Sequence, residues 1–175
     1  MRKNEQIFYG KIVDINEEEK FIKSSILHFD KVNENRWRAM HGSLDAFLER
    51  LNRAKKGVAG CYQHDESLLI GVWRDFEVTE KELIGKLYFV DTPFVRDTVL
   101  PQVRAGILQG SSPTISPLQD SWNSAMNCWD IIEGVLCEVS LVGLPADLRA
   151  DILEMRAKIE EKKGGNDTDI FLLIN

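Results

Sequence analysis

Cysteine is scarce in this sequence, and its spacing does not indicate a disulfide framework. The 175 residues include three cysteines, Cys61, Cys128 and Cys137, which is an odd number without a CxxC pair. Cys61 and His64 are separated like a pair of metal ligands, so a zinc site completed by the other two cysteines is an alternative interpretation. Because buried cysteines behave as small hydrophobes, we expect free thiols and neither a metal nor another cofactor.

Long apolar runs and an excess of positive charge are also lacking. No apolar run approaches the roughly 20 residues that cross a bilayer, and the first six residues lack the apolar core of a signal peptide. The net charge of −6 opposes non-specific binding to nucleic acid, which needs a basic face. We therefore expect a cytoplasmic protein without a membrane or nucleic-acid partner. The length and the hydrophobic fraction of 43% fit one domain with one core.

Alternating apolar residues predict a mostly β protein. The first two predicted strands are close enough to form a hairpin, and a second hairpin is predicted around Glu133-Gly134. About seven strands with three helices favour a β-barrel that carries helices on its outside. A two-layer α+β domain is the alternative. The predicted strands cover residues 6–16, 21–29, 58–63, 68–73, 82–90, 110–116 and 135–142.

Three helices are predicted from apolar stripes with a three- to four-residue spacing. The first begins at Ser43. The second begins at Thr92-Pro93, where a hydroxyl cap precedes a proline at the first helical position. Pro101 falls inside this second helix and is expected to kink or split it, because proline lacks the N–H that a helix interior needs. The third covers residues 146–161.

The composition changes near the end of the sequence, which predicts a domain boundary. Lys162 to Asp167 is charged and contains two glycines, a composition typical of a flexible linker. The apolar run from Ile170 to Ile174 needs cover, either from this molecule or from another subunit. We therefore expect one folded domain over residues 1–161, followed by a flexible linker and an apolar tail over 162–175.

Three separated segments carry the side chains of an acyl-transfer site, residues 62–65, 108–113 and 136–142. They supply a histidine, a serine in a small-residue turn, and a carboxylate inside an apolar strand. A serine hydroxyl is a weak nucleophile unless a base lies beside it, and the base works best when a third group orients it. Because the chain has only three histidines, the choice of base is nearly forced.

Each candidate residue also has an ordinary structural interpretation. His64 is either a turn residue at a strand end or a general base, since imidazole titrates near neutral pH. Ser112 is either a locally hydrogen-bonded turn serine or the nucleophile, and Ser111 competes for that role. Glu138 lies in a strand with two largely apolar faces, where a carboxylate needs a partner. That partner is either an arginine or the imidazole of His64.

Together these segments resemble the tailed-phage prohead proteases, the serine peptidases of capsid maturation. The resemblance extends over about residues 6 to 151. The matching stretches are Gln63-His64-Asp65 with Ile70-Gly71, then Gly106 to Ser112, then Leu136 to Val142 with Pro145-Ala146. The last of these is similar to the Glu-Val-Ser-Leu-Val and Pro-Ala run of the family.

The resemblance implies a fold akin to herpesvirus assemblin, a barrel ringed by helices, and a triad of His64 as base, Ser112 as nucleophile and Glu138 as orienting carboxylate. It also implies that the substrates are scaffolding proteins, scaffold segments of the major capsid protein, and the protease itself. The site of action would be the assembling procapsid in the cytoplasm of the bacterial host. We expect a homo-oligomer that binds the scaffold and capsid proteins.

The sequence departs from the family directly after Ser112. The family has an aliphatic residue, a glycine and an aromatic residue there, whereas this chain has Pro113-Thr114-Ile115. Proline has no backbone N–H, so residue 113 cannot donate to an oxyanion, and one missing donor costs about 3 kcal/mol of transition-state stabilisation. The alternative function is therefore a catalytically weak or inactive module that binds scaffold or assists capsid assembly.

Overall fold

The computed structural model describes residues 6–8, 10–16 and 21–143, and β-strands make up most of this part of the chain. The described residues fall within one compact unit, Met1–Pro145. The predicted helix over 146–161 and the linker and tail over 162–175 lie outside the described residues. The strands are β1 (Gln6–Ile7), β2 (Gly10–Asn16), β3 (Phe21–His28), β4 (Trp37–Ala39), β5 (Val58–Tyr62), β6 (Asp65–Val78), β7 (Glu82–Phe89), β8 (Gly110–Asn123) and β9 (Cys128–Val142).

Seven of these strands close into a barrel. Their order is β8, β2, β3, β7, β6, β5 and β9, and β9 pairs again with β8 to complete the ring. The β5–β9 pair is parallel and the other pairs of the ring are antiparallel. The short strands β1 and β4 add to β8 and β9 from outside the ring. The predicted mostly β barrel is therefore confirmed, and the two-layer alternative is not what the chain forms.

The barrel interior is filled by large apolar side chains. Ile22, Trp73, Leu87 and Val139 are fully buried there, and the Trp73 indole N–H donates to the Val139 carbonyl oxygen at 2.9 Å. This contact ties the core to β9, the strand that carries Glu138. The interior packing therefore fixes the backbone on which the candidate site is built.

Two helical regions of the described chain lie where they were predicted. Helix α1 covers Asp45–Ala54. The second region begins at Pro93, passes through a wide turn at Val95–Val99 and continues as α2 (Leu100–Arg104). In the wide turn the Leu100 N–H donates to the carbonyl oxygen of Val95, five residues earlier. The next residue is Pro101, which has no N–H to donate. The helical backbone is continuous over residues 93–104, so the disturbance expected at Pro101 takes the form of a wide turn just before the proline and not of a break. No described helix is long and apolar enough to cross a membrane.

The predicted hairpin turn at Glu133-Gly134 is wrong. Strand β9 runs straight through these residues, and the turn that joins it to β8 lies at residues 124–127. Gly134 lies opposite Pro117, next to an irregularity in the β8–β9 register. A Cβ atom at residue 134 would meet the Ile115 Cγ2 atom at 3.0 Å. The glycine is therefore explained by a close approach across the strands, not by a turn.

Candidate active site

His64 lies in the two-residue turn that joins β5 to β6. Tyr62 pairs with Asp65 across this turn, and both intervening residues have positive φ, 53° at Gln63 and 62° at His64. Two such residues form a type I′ turn, whose twist matches that of the flanking strands. Strand β6 begins at Asp65, directly after this turn and three residues before the strand predicted over 68–73. The turn holds the histidine at the end of the hairpin, with 30% of its side chain exposed.

The imidazole of His64 contacts the carboxylate of Glu138. The Nδ1 atom lies 3.1 Å from Oε1, and the glutamate side chain is 7% exposed. A carboxylate at Nδ1 favours the tautomer that carries its proton there, which leaves the lone pair on Nε2 available. The pair therefore has the arrangement that a general base needs. Among the described residues, Glu138 has no arginine partner.

Two hydroxyl groups hold Glu138 in place. Thr114 Oγ1 donates to Oε1 at 2.5 Å, and Ser140 Oγ donates to Oε2 at 2.7 Å. Ser140 Oγ also accepts the backbone N–H of His64 at 3.0 Å, so one hydroxyl joins the histidine turn to the carboxylate. These donors satisfy a buried charge that would otherwise be costly.

Sequence reasoning did not identify Thr114 or Ser140 as part of the site. Strand alternation could have suggested Ser140, because it lies two residues after Glu138 and therefore shares its face. Thr114 faces Glu138 only through the pairing of β8 with β9. No pattern within either segment gives that register.

Ser112 lies on the same face of the sheet as this network. It pairs with Ser140, while Thr114 pairs with Glu138, and side chains of directly opposed residues project from the same face. Ser112 is fully buried, and its hydroxyl donates to the carbonyl oxygen of Phe8 at 2.8 Å. No hydrogen bond joins Ser112 to His64 in the described part of the chain. The structure thus unites His64 with Glu138 but leaves the serine hydroxyl bonded elsewhere.

Ser111, the competing serine, belongs to a different environment. It precedes Ser112 in β8 and therefore projects from the opposite face. Its Oγ atom lies 2.9 Å from Ser24 Oγ and 3.2 Å from the Ser25 carbonyl oxygen. These contacts direct its hydroxyl toward β3 and away from the face that carries Glu138. Of the two serines, Ser112 therefore shares the sheet face of Glu138, whereas Ser111 lies on the other face.

The zinc interpretation of Cys61 and His64 gains no support from the structure. Burial, together with the nearby Glu138 charge, raises the pKa of the Cys61 thiol to about 11. Cys128 contacts Asp130, and none of the three cysteines, all of which lie in the described part of the chain, forms a disulfide. The part of the chain that the structure describes contains no cluster of three or more His, Cys, Asp or Glu side chains suited to a metal ion.

Comparison with known proteins places these observations in context. The family model of the caudovirus prohead serine protease matches residues 11–164. The fold is similar to the solved structure of the capsid assembly protease gp21 of bacteriophage T4, with a TM-score of 0.66 and 14% sequence identity, over 81% of this chain and 98% of that chain. At this identity the likeness concerns the fold. No curated protein matches the sequence.

Proposed function

Because the chain belongs to the caudovirus prohead serine protease family and is a protease of phage capsid maturation, we propose that it is a serine endopeptidase with a triad of His64, Ser112 and Glu138. The observation that carries this proposal is the 3.1 Å contact between His64 Nδ1 and Glu138 Oε1. It orients an imidazole whose Nε2 atom remains available to a nucleophile.

In the proposed reaction, His64 Nε2 takes the proton from Ser112 Oγ as this oxygen attacks the carbonyl carbon of a peptide bond. The tetrahedral intermediate collapses, the C–N bond breaks, and the leaving amine takes the proton from the imidazolium. A water molecule activated by the same imidazole then hydrolyses the acyl-enzyme and restores the serine. Glu138 stays ionised throughout and stabilises the imidazolium.

The position of Ser112 supports its role as nucleophile. Directly opposed residues of an antiparallel pair have Cβ atoms about 4.5–5.5 Å apart, and Ser112 is directly opposite Ser140. The hydroxyl of Ser140 contacts the backbone of His64. Ser112 therefore lies directly across the strand pair from Ser140, the residue whose hydroxyl contacts His64, the proposed base. Attack requires its hydroxyl to leave the Phe8 carbonyl and turn toward Nε2.

We infer that the substrates are scaffolding proteins, scaffold segments of the major capsid protein, and the protease itself. These are the substrates that the family resemblance implies, and the T4 protein of similar fold is named for capsid assembly. The proposed partners are accordingly the scaffold and the major capsid protein, met inside the assembling procapsid in the bacterial host. A homo-oligomeric form is part of the same proposal.

A second candidate function is a weakly active or inactive module that binds scaffold during assembly. Two observations favour it. Residue 113 is a proline and cannot donate to an oxyanion, and the Ser112 hydroxyl is bonded to Phe8. This candidate predicts that a serine-directed fluorophosphonate does not label the protein.

The deciding experiment is co-expression with the capsid or scaffold protein of the same phage. Ser112→Ala is expected to abolish cleavage and fluorophosphonate labelling, while Ser111→Ala, the matched control on the neighbouring residue, is expected to retain both. Circular dichroism verifies that each variant is folded. Cleavage that continues in folded Ser112→Ala would disprove the nucleophile assignment. A wild-type protein that neither cleaves nor takes up the probe would favour the assembly module.

A further inference from the structure

Phe8 and Pro113 occupy opposed positions in neighbouring strands. The β1–β8 register pairs Gln6 with Ile115 and Ile7 with Thr114, so the next pair is Phe8 with Pro113. The Phe8 N–H donates to the Pro113 carbonyl oxygen at 3.0 Å. An antiparallel pair of this type normally exchanges two hydrogen bonds. The second would run from the N–H of residue 113 to the Phe8 carbonyl, and proline has no N–H.

The hydroxyl of Ser112 supplies the missing donor. Its Oγ atom lies 2.8 Å from the Phe8 carbonyl oxygen. Phe8 is 4% exposed and Ser112 is fully buried, so solvent is largely excluded from this carbonyl. A buried carbonyl without a donor is destabilising. The serine hydroxyl therefore takes the place of the amide that residue 113 lacks, and it does so on the face that carries the proposed catalytic residues.

We propose that Pro113 is a positioning residue that restrains the nucleophile. By leaving the Phe8 carbonyl without an amide donor, it commits the Ser112 hydroxyl to that carbonyl and away from His64 in the resting protein. The hydroxyl must break this bond before it can react. A residue with an N–H at position 113 would satisfy Phe8 itself and release Ser112. The effect on reactivity depends on the proposed role of Ser112, whereas the exchange of hydrogen-bond donors does not.

Thermal stability tests whether the Ser112 hydroxyl and an amide at position 113 can replace each other as donors to the Phe8 carbonyl. This test needs no measurement of activity. Ser112→Ala is expected to lower the thermal midpoint of the parent protein, because the Phe8 carbonyl then has no donor. The same substitution in a Pro113→Val background is expected to lower it by clearly less, since the new amide at position 113 serves the carbonyl. Valine suits a strand and keeps most of the buried volume. Pro113→Ala repeats the measurement with a smaller side chain.

Pro117 provides the matched control, because it is a second proline in β8 but lies opposite Gly134, away from Ser112. In a Pro117→Val background, Ser112→Ala is expected to lower the midpoint as much as it does in the parent. Equal losses in the parent, Pro113→Val and Pro113→Ala backgrounds would overturn the proposal, because Ser112 and residue 113 would then share no hydrogen-bond acceptor.

The consequence for reactivity is tested by the rate of fluorophosphonate labelling at Ser112. Releasing one net hydrogen bond of about 1.4 kcal/mol corresponds to about a tenfold faster reaction, so Pro113→Val is expected to label about ten times faster than the parent and Pro117→Val at the parental rate. An unchanged rate in Pro113→Val would overturn the proposal. A third outcome is that Ser112→Ala costs less stability in the Pro113→Val background, as expected, but neither the parent nor Pro113→Val is labelled. This result would disprove the nucleophile role of Ser112, and the proposed restraint with it.

Discussion

Replacing Thr114 by valine tests how the carboxylate of Glu138 is held. The substitution keeps the shape of the side chain and removes the hydroxyl that donates to Oε1 at 2.5 Å. Both residues are 6% exposed, so water has little access to the vacated position. A hydrogen bond to a charged group contributes about 1.5–3 kcal/mol. We expect Thr114→Val to lower the free energy of unfolding by about that amount, because Ser140 and His64 remain as the only described partners of Glu138.

The measurement is a urea titration followed by circular dichroism, with the slope m unchanged between variants. Thr114→Ser is the matched control, because it keeps the hydroxyl and loses only a methyl group, worth about 0.8 kcal/mol. Repeating both substitutions in a Glu138→Gln background separates the contribution of the negative charge at position 138 from that of the hydrogen bond itself. A neutral hydrogen bond contributes about 1 kcal/mol, so the penalty of Thr114→Val should shrink by about 1 kcal/mol there.

Two results would refute this account of the Thr114 hydroxyl. One is a loss of stability in Thr114→Val no larger than that in Thr114→Ser, which would mean that the hydroxyl contributes nothing beyond the methyl group. The other is a penalty that is the same with glutamate and with glutamine at position 138. The contact would then owe its stabilising effect to packing, and Thr114 would have no part in holding the carboxylate toward His64.

Two further predictions concern the stability of the fold. Hydrogen bonds from Arg38 lower the pKa of Asp130 to about 2, whereas an unfolded aspartate titrates near about 3.9. The ionised Asp130 therefore stabilises the fold above about pH 4, and this contribution is lost as the pH falls toward about 2. Asp130→Asn should flatten the loss of stability over that interval, and equal pH profiles would contradict the prediction. Gly10→Ala places a Cβ atom 1.8 Å from the Ser25 carbonyl oxygen and should cost about 3 kcal/mol or more in urea titrations. Gly143→Ala, whose Cβ meets nothing closer than 3.4 Å, should cost far less, and similar losses in the two variants would count against a clash between β2 and β3.

Much of the local structure is determined by the sequence itself. Alternating apolar residues predict the strands because successive side chains of a strand face opposite sides. The cap at Thr92-Pro93 and the wide turn before Pro101 follow from the donors that each residue has or lacks. Burial of a carboxylate in a two-sided apolar strand predicts that Glu138 has a partner, and the structure places His64 at that position.

The arrangement around Ser112 depends on pairings between distant strands. Thr114 reaches Glu138 because β8 and β9 meet in one register, and Phe8 lies opposite Pro113 because β1 pairs with β8 in another. A slip of one residue in either pairing would turn the side chains to the other face. Nothing within a single segment specifies that register.

The sequence by itself determined that this chain has a histidine, a serine and a buried carboxylate in three strand-associated segments, and that residue 113 has no N–H to give. Closure of the barrel decided which groups meet. It brought the carboxylate of Glu138 to His64 and placed Ser111 on the opposite face of the sheet. It also placed the Phe8 carbonyl within hydrogen-bond distance of the Ser112 hydroxyl. The physical reason is that hydrogen-bond donors and acceptors are local properties of residues, whereas their partners across a sheet are chosen by long-range register.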